Sequence, residues 1–240
     1  MPEIINLNSC TLCKGSPNIT YWLSYRRKVG ASVKSPYDGH DVKEWADITD
    51  EIVKKYPVSE KDIIESVQEA WEKTKQTKIG GELQIGVDVF PEPQVMGEFL
   101  HELIPVTLAK KHPEHFRKGK VKSEKDVVYN PNDELSIEIK TSSDGTNLYG
   151  NRSYGQKNSE NNSGKKKEGY YIGVNFEKYT DDNHDPQIKK IRFGWIDHED
   201  WVPQKKETGQ QAKLDKDARD HKLKLIYEYK KSHKRKGKEK

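Results

Sequence analysis

Cysteine is nearly absent from this 240-residue chain: only Cys10 and Cys13 occur, beside two methionines. Two thiols cannot build a disulfide framework, which excludes the small secreted, disulfide-stapled class. Long apolar runs are missing too, and nothing approaches the ~20 residues that span a bilayer. The opening MPEIINLNSC lacks the charged-then-apolar order of a signal peptide. No internal repeat, glycine-rich phosphate loop or Ser/His/Asp arrangement is present. Hydrophobic residues make up 32% and charged residues 34%, against roughly 25% charged in ordinary domains. The expectation is a soluble, cytoplasmic protein with a thin core and a large surface facing solvent or a ligand.

The formal net charge is +4. The last eleven residues, KKSHKRKGKEK, carry +6, which leaves −2 for the rest. A basic tail on a near-neutral body fits loose attraction to nucleic acid or an acidic surface, or simply a solvated terminus. Three segments are expected: residues 1–20 with the CxxC and no assigned role, a single domain over 21–229, and a disordered basic tail over 230–240. Cys10 and Cys13 have the spacing of half a zinc site. Structural zinc needs four ligands, the nearest downstream histidine is His40, and no second cysteine pair exists. Free thiols are expected there, not zinc.

Residues 41–56 place Val42, Trp45, Ile48, Ile52 and Val53 three and four apart, the period of a helix. A second helix starts at Ser59, with Glu60 and Asp62 in its first turn. Residues 78–90 form a glycine-punctuated break, with room for a short strand. Helical spacing returns over 93–111, with Val95, Phe99, Leu103 and Val106 on one face and Pro105 set to kink or split the helix. Residues 121–129 and 135–142 read as two strands around an Asn-Pro-Asn-Asp turn. Strands follow at 169–176 and 190–196, and a C-terminal helix at 210–228. Residues 144–168 are rich in Gly, Asn, Ser and Lys, as in a disordered insertion or a ligand-binding loop. The expected fold is α/β, or α+β, with a central mixed sheet flanked by helices.

The stretch LSIEIKTSS, residues 135–143, alternates Leu135, Ile137, Ile139 and Thr141 with Ser136, Glu138, Lys140 and Ser142. One face is apolar, and the other is either wet or catalytic. If Tyr129 faces Leu135 across the turn, Asp126 lies opposite Glu138. Facing Cβ atoms in an antiparallel pair stand about 4.5–5.5 Å apart. Two carboxylates that close repel unless a cation lies between them. A hard divalent cation fits, with the carbonyl of Ile139 as a further oxygen ligand. Lys140, one step along the same face, suits charge stabilisation at a phosphate better than proton abstraction, since neighbouring carboxylates favour its charged form.

Asp126 followed by Glu138-Ile139-Lys140 resembles the PD-(D/E)xK nuclease motif, with Lys125 where the motif has proline. IEIKTSS, YGNRSYGQ, GYYIGVNFE, IRFGWIDHEDW, SPYDG, MGEFLHELI and TGQQAKL resemble the ScaI family of type II restriction endonucleases, over roughly residues 20–228. The resemblance implies a restriction-endonuclease-like core and a Mg²⁺-dependent homodimer that cuts both strands of a short palindrome. Asp126 and Glu138 map onto metal ligands and Lys140 onto the catalytic lysine. Glu98 matches the helical glutamate of many such sites, with Glu102, one turn on, as the competing candidate. A cognate DNA methyltransferase is expected in the same system, though not as a physical partner, and no membrane is involved.

Base reading is expected from the loop after the catalytic strand, through Asn147, Asn151, Arg152, Tyr154, Gln156 and Lys157. Arg pairs bidentately with guanine, and Asn or Gln with adenine. Lys157 and Lys165, Lys166 and Lys167 are expected at phosphates. Asp197, His198, Glu199 and Asp200 have the makings of a second metal site, but a strand end turning into solvent is the reading preferred. The alternatives are another nuclease on the same core, repair or junction-resolving, and a non-catalytic DNA-binding protein.

Overall fold

The computed structural model describes residues 34–156, 166–205 and 209–230. The expectations placed on Cys10, Cys13, Lys157, Lys165 and the basic tail lie outside the described residues.

Helix α1, Val42–Lys54, starts from Asp41, whose N–H donates to Glu44 Oε2 at 2.9 Å in a capping box. Helix α2, Glu60–Lys75, starts from Ser59, whose Oγ accepts from the Asp62 N–H at 3.1 Å. Strands β1 (Lys78–Ile79) and β2 (Leu83–Gln84) form a small antiparallel hairpin in the break that follows. Helix α3, Pro93–Lys111, runs unbroken through Pro105. Its buried stripe is Met96, Leu100, Ile104 and Leu108, whereas Val95 is 46% exposed. The expected face through Val95, Phe99, Leu103 and Val106 is therefore displaced by one residue, and by two at its last position. Both stripes are apolar and have helical spacing, so periodicity does not choose between them; α3 buries the second and packs against α2.

The remaining strands are β3 (Phe116–Lys118), β4 (Val127–Tyr129), β5 (Ile137–Ser142), β6 (Tyr149–Asn151), β7 (Gly169–Phe176), β8 (Ile188–Ile196), β9 (Trp201–Pro203), β10 (Gln211–Leu214) and β11 (Leu223–Glu228). Six of them form the central sheet in the order β11-β8-β7-β5-β4-β3. It is mixed: β5 and β7 run parallel and the other pairs antiparallel. The expected mixed α/β architecture stands. A second sheet has three strands in the order β6-β10-β9.

Both faces of β7 are buried along its whole length, as its near-continuous apolar run requires. On one face Tyr170 meets Tyr56 at a centroid distance of 4.6 Å, and Phe176 meets Trp71 at 5.3 Å. This is the helical side. On the other, Tyr171 joins Leu148, Tyr154, Trp201 and Leu214 in a second apolar cluster beneath the small sheet. Paired residues share a face, and β5 pairs with β7 as Glu138 to Tyr171 and Lys140 to Gly173. Glu138 and Lys140 therefore lie on the side of the small sheet. Thr141 lies on the helical side, where a Cβ at Gly97 of α3 would stand 2.8 Å from its Oγ1. Only glycine lets α3 approach β5 so closely, and that approach brings Glu98 and His101 to the end of the β4–β5 hairpin.

Two expected elements are corrected. The strand over 121–129 shrinks to β4, with 121–126 in bends and turns and the short β3 pairing on its outer side. The C-terminal helix over 210–228 is instead β10, a π turn at Ala218–Lys222, and β11 on the sheet edge.

Candidate active site

Strands β4 and β5 pair with Val127 opposite Ile137. That is the register expected from sequence, and it carries Asp126 to the place across from Glu138. Asp126 Oδ2 accepts the Ile139 N–H at 2.7 Å, so the aspartate both finishes the pairing and sets its charge against β5. Glu138 is 3% exposed and Lys140 8%. The Lys140 ammonium donates to Glu138 Oε1 at 2.8 Å and to the Ile139 carbonyl at 3.1 Å. The Tyr154 hydroxyl donates to the same Glu138 oxygen at 2.6 Å. The polar face of LSIEIKTSS is not wet. It is an ion pair buried under a tyrosine.

A buried pair of this kind is weak as a stabilising device, because desolvation offsets the attraction. Its placement therefore asks for a chemical reason. Burial pulls the Lys140 ammonium toward its neutral form, but the Glu138 and Asp126 carboxylates together outweigh that and hold its pKa above the ordinary lysine value. Lys140 is a fixed positive charge, not a free base. Burial, with Glu138 beside it, pushes the Tyr154 phenol well up, so its hydroxyl stays a donor.

Asp126 also lines an open cleft of about 270 Å³, together with Glu98, His101, Glu102, Lys118 and Lys122. His101 Nδ1 stands 3.6 Å from Asp126 Oδ2. It lies one turn beyond Glu98 on α3, a spacing visible in the sequence, and no role was expected for it. Glu102 is engaged by Lys118 in an ion pair. Lys125, in the place of the motif's proline, is buried; its ammonium donates to the Glu168 carbonyl at 2.8 Å and lies 5.1 Å from the centre of the Tyr171 ring.

The family model for the ScaI restriction endonuclease matches residues 35–227. The type II restriction enzyme ScaI of Streptomyces caespitosus is 44% identical over 182 residues, 75% of this chain and 79% of that protein. The chain belongs to the ScaI restriction endonuclease family. Sequence-specific cleavage of DNA by a restriction enzyme is the activity that goes with that membership. No solved structure is a significant match. The matched span leaves out residues 1–34, and with them Cys10 and Cys13. Among the described residues no helix is long and apolar enough to cross a membrane.

Within this ScaI-family fold, the residues expected to touch DNA separate into two kinds. Asn151 and Arg152 are exposed at the end of β6 and in the 3-10 turn Arg152–Gly155, and Gln156 beside them is half-buried. Asn151 Oδ1 accepts from the Ser153 N–H at 3.1 Å and so shapes the turn. Asn147, half-buried, and Tyr154, buried, are held by partners within the protein. Asn147 Oδ1 accepts from Arg219 at 2.8 Å while its amide donates to Asp144 at 3.1 Å. Tyr154 is 4% exposed. Lys167 is buried too, with its ammonium 2.8 Å from Ser153 Oγ and 4.2 Å from the centre of the Tyr154 ring. The acidic segment around His198 neither turns into solvent nor gathers at an open metal site. The buried Lys222 ammonium takes Asp197 Oδ2 and Asp200 Oδ1, both at 2.8 Å. His198 Nε2 lies 3.0 Å from the Tyr154 carbonyl.

Asp144 organises the first part of this loop. Its carboxylate accepts from the backbone N–H groups of Asn147 and Thr146, the Asn147 amide and the Tyr149 hydroxyl. The Asn147 N–H leads these bonds, which outweigh burial and hold the pKa near about 2. An unfolded aspartate titrates at about 3.9. The folded value is the lower one, so the stabilisation is full above about pH 4 and fades as pH falls toward about 2. Asp144→Asn is expected to lower stability by about 1–3 kcal/mol at neutral pH. Thermal melts of both proteins should converge as the pH drops through that window; a constant gap would refute the charge-based account.

Proposed function

We propose that this chain is a Mg²⁺-dependent type II endonuclease that cuts both strands of a short palindromic site as a homodimer. The observation that carries the reading is the Asp126 carboxylate lying against Glu138-Ile139-Lys140, with the Lys140 ammonium bridging Glu138 and the Ile139 carbonyl. Two-fold symmetry in a dimer would mirror two-fold symmetry in the DNA site.

The donor set fits the metal. Asp126, Glu138 and the Ile139 carbonyl offer hard oxygens of the kind Mg²⁺ takes, with waters completing its shell. A cation, the Lys140 ammonium, already rests between two of these three groups, so their oxygens face a point that favours positive charge. When bound there, Mg²⁺ supplies an acidified water and a polarised phosphoryl oxygen. The chain's own residues do the rest. Asp126 and Glu138 hold their charges in fixed positions. Lys140 keeps its proton and stabilises negative charge gathering on the phosphoryl oxygens. Of the two helical carboxylates that line the cleft, Glu98 is the one we assign to the site, because Glu102 is engaged by Lys118.

Arg152 is the leading candidate for guanine contact, with Asn151 and Gln156 beside it. The enzyme acts on cytoplasmic double-stranded DNA, and a cognate methyltransferase protects the host's copies without binding this chain. The deciding experiment is digestion of phage DNA by the purified protein with and without Mg²⁺. Discrete fragments that need Mg²⁺ support the reading, and sequencing their ends gives the site and stagger. A smear favours a nonspecific or repair nuclease. Intact DNA with binding retained favours the non-catalytic DNA-binding protein.

A further inference from the structure

We propose that Tyr154 is a positioning residue of the catalytic centre, whose hydroxyl fixes the Glu138 carboxylate and whose ring seats the Lys140 ammonium. The inference rests on the endonuclease reading above and adds to it a residue outside the Asp-Glu-Lys motif.

The geometry has three parts. First, the Tyr154 hydroxyl reaches Glu138 Oε1 at 2.6 Å, and Lys140 reaches the same oxygen at 2.8 Å. Two donors converging on one oxygen hold a carboxylate against rotation. Secondly, the Lys140 ammonium lies 4.5 Å from the centre of the Tyr154 ring and that of Lys167 4.2 Å. The π face attracts both cations, so one ring holds Lys140 from the side while Glu138 and Ile139 hold its tip. Thirdly, Tyr154 is itself fixed. Its ring packs edge-on to Trp201 at 4.9 Å, and its carbonyl lies 3.0 Å from His198 Nε2.

The surroundings give the arrangement a further consequence. Tyr154 belongs to the 3-10 turn Arg152–Gly155. Arg152, two residues earlier, is exposed as a candidate base contact, while Tyr154 reaches the catalytic strand. The same turn thus carries a residue for reading DNA and a residue for holding the cutting group.

A tyrosine in an apolar cluster also has an ordinary packing role, and the two roles separate at the hydroxyl. Tyr154→Phe keeps the ring, its contact with Trp201 and its π face, and removes only the donor to Glu138. Loss of such a supporting hydrogen bond typically costs about 10–100-fold in metal affinity or activity. The expected result is a single-turnover cleavage rate about 10–100-fold lower and Mn²⁺ binding, measured by calorimetry on the uncleaved protein–DNA complex, weakened in the same range. The melting temperature should fall only modestly, as for the loss of one buried hydrogen bond, and metal-free DNA affinity should stay as in the wild type. Tyr154→Leu, which also removes the ring, should be slower still.

Wild-type cleavage and wild-type Mn²⁺ affinity in Tyr154→Phe would overturn the proposal. So would a steep fall in melting temperature with DNA binding lost in step, which is the mark of packing alone. If the wild-type protein neither cuts DNA nor binds Mn²⁺, it is the endonuclease reading that fails, and the two failures remain distinct.

Discussion

Lys140→Ala is expected to abolish cleavage while leaving DNA binding in place. The Lys140 ammonium is aimed by three partners: Glu138 Oε1, the Ile139 carbonyl and the Tyr154 ring. A preorganised charge of this kind typically contributes about 10²–10³ in rate, and the loss here should be at least that. Binding has other sources, chiefly backbone contacts, so a gel shift in Ca²⁺ should be unchanged. The substitution also strands Glu138 as a buried carboxylate. Removing one partner of a buried pair costs about 3–5 kcal/mol, so the apo variant should melt lower than the wild type. A cation entering the site relieves that cost, and a ligand that binds only the folded state raises its stability. Mg²⁺ should therefore raise the melting temperature of Lys140→Ala more than that of the wild type. A variant that cuts within a few-fold of the wild-type rate would remove Lys140 from the mechanism.

Much of the β4–β5 hairpin is legible in the sequence because its determinants are local. LSIEIKTSS alternates strictly, the turn before it is rich in turn formers, and together they set the register that places Asp126 across from Glu138. GYYIGVNF reads as a strand and forms one from Gly169 to Phe176, where the fold buries it on both faces. The C-terminal segment misleads for a physical reason. Its Ala, Lys, Leu and Glu residues are good helix formers, yet residues 223–228 lie along the free edge of β8, and pairing there prevails over propensity. The loop after β5 is less legible for a different reason. Asn, Tyr and Lys suit DNA contact, but the same residue types build loops. Whether Asn147 meets a base or Arg219, which lies 72 positions away, depends on a fold-back that no local pattern records. Tyr154 is the sharpest case: the fold turns it away from the loop surface and onto Glu138.

Asp126→Asn and Asp126→Ala should part company in stability while agreeing in activity. Asp126 Oδ2 accepts the Ile139 N–H at 2.7 Å, so the side chain has a backbone duty besides its charge. Asparagine can keep an acceptor oxygen there and removes only the charge. Alanine removes both and leaves the Ile139 N–H without that acceptor, at a cost of about 1–3 kcal/mol. The Ala variant should therefore melt lower than the Asn variant, which should stay close to the wild type. Both should lose cleavage, because without the second carboxylate the donor set around Ile139 no longer balances a divalent charge. DNA affinity measured without metal should hold or rise in both, since a negative charge leaves the path of the phosphate. Single-turnover cleavage, calorimetric Mn²⁺ titration and thermal melts on the three proteins decide it. An Asp126→Asn protein that cuts at the wild-type rate would leave Asp126 as a structural acceptor alone and would move the metal elsewhere in the cleft, toward Glu98 and His101.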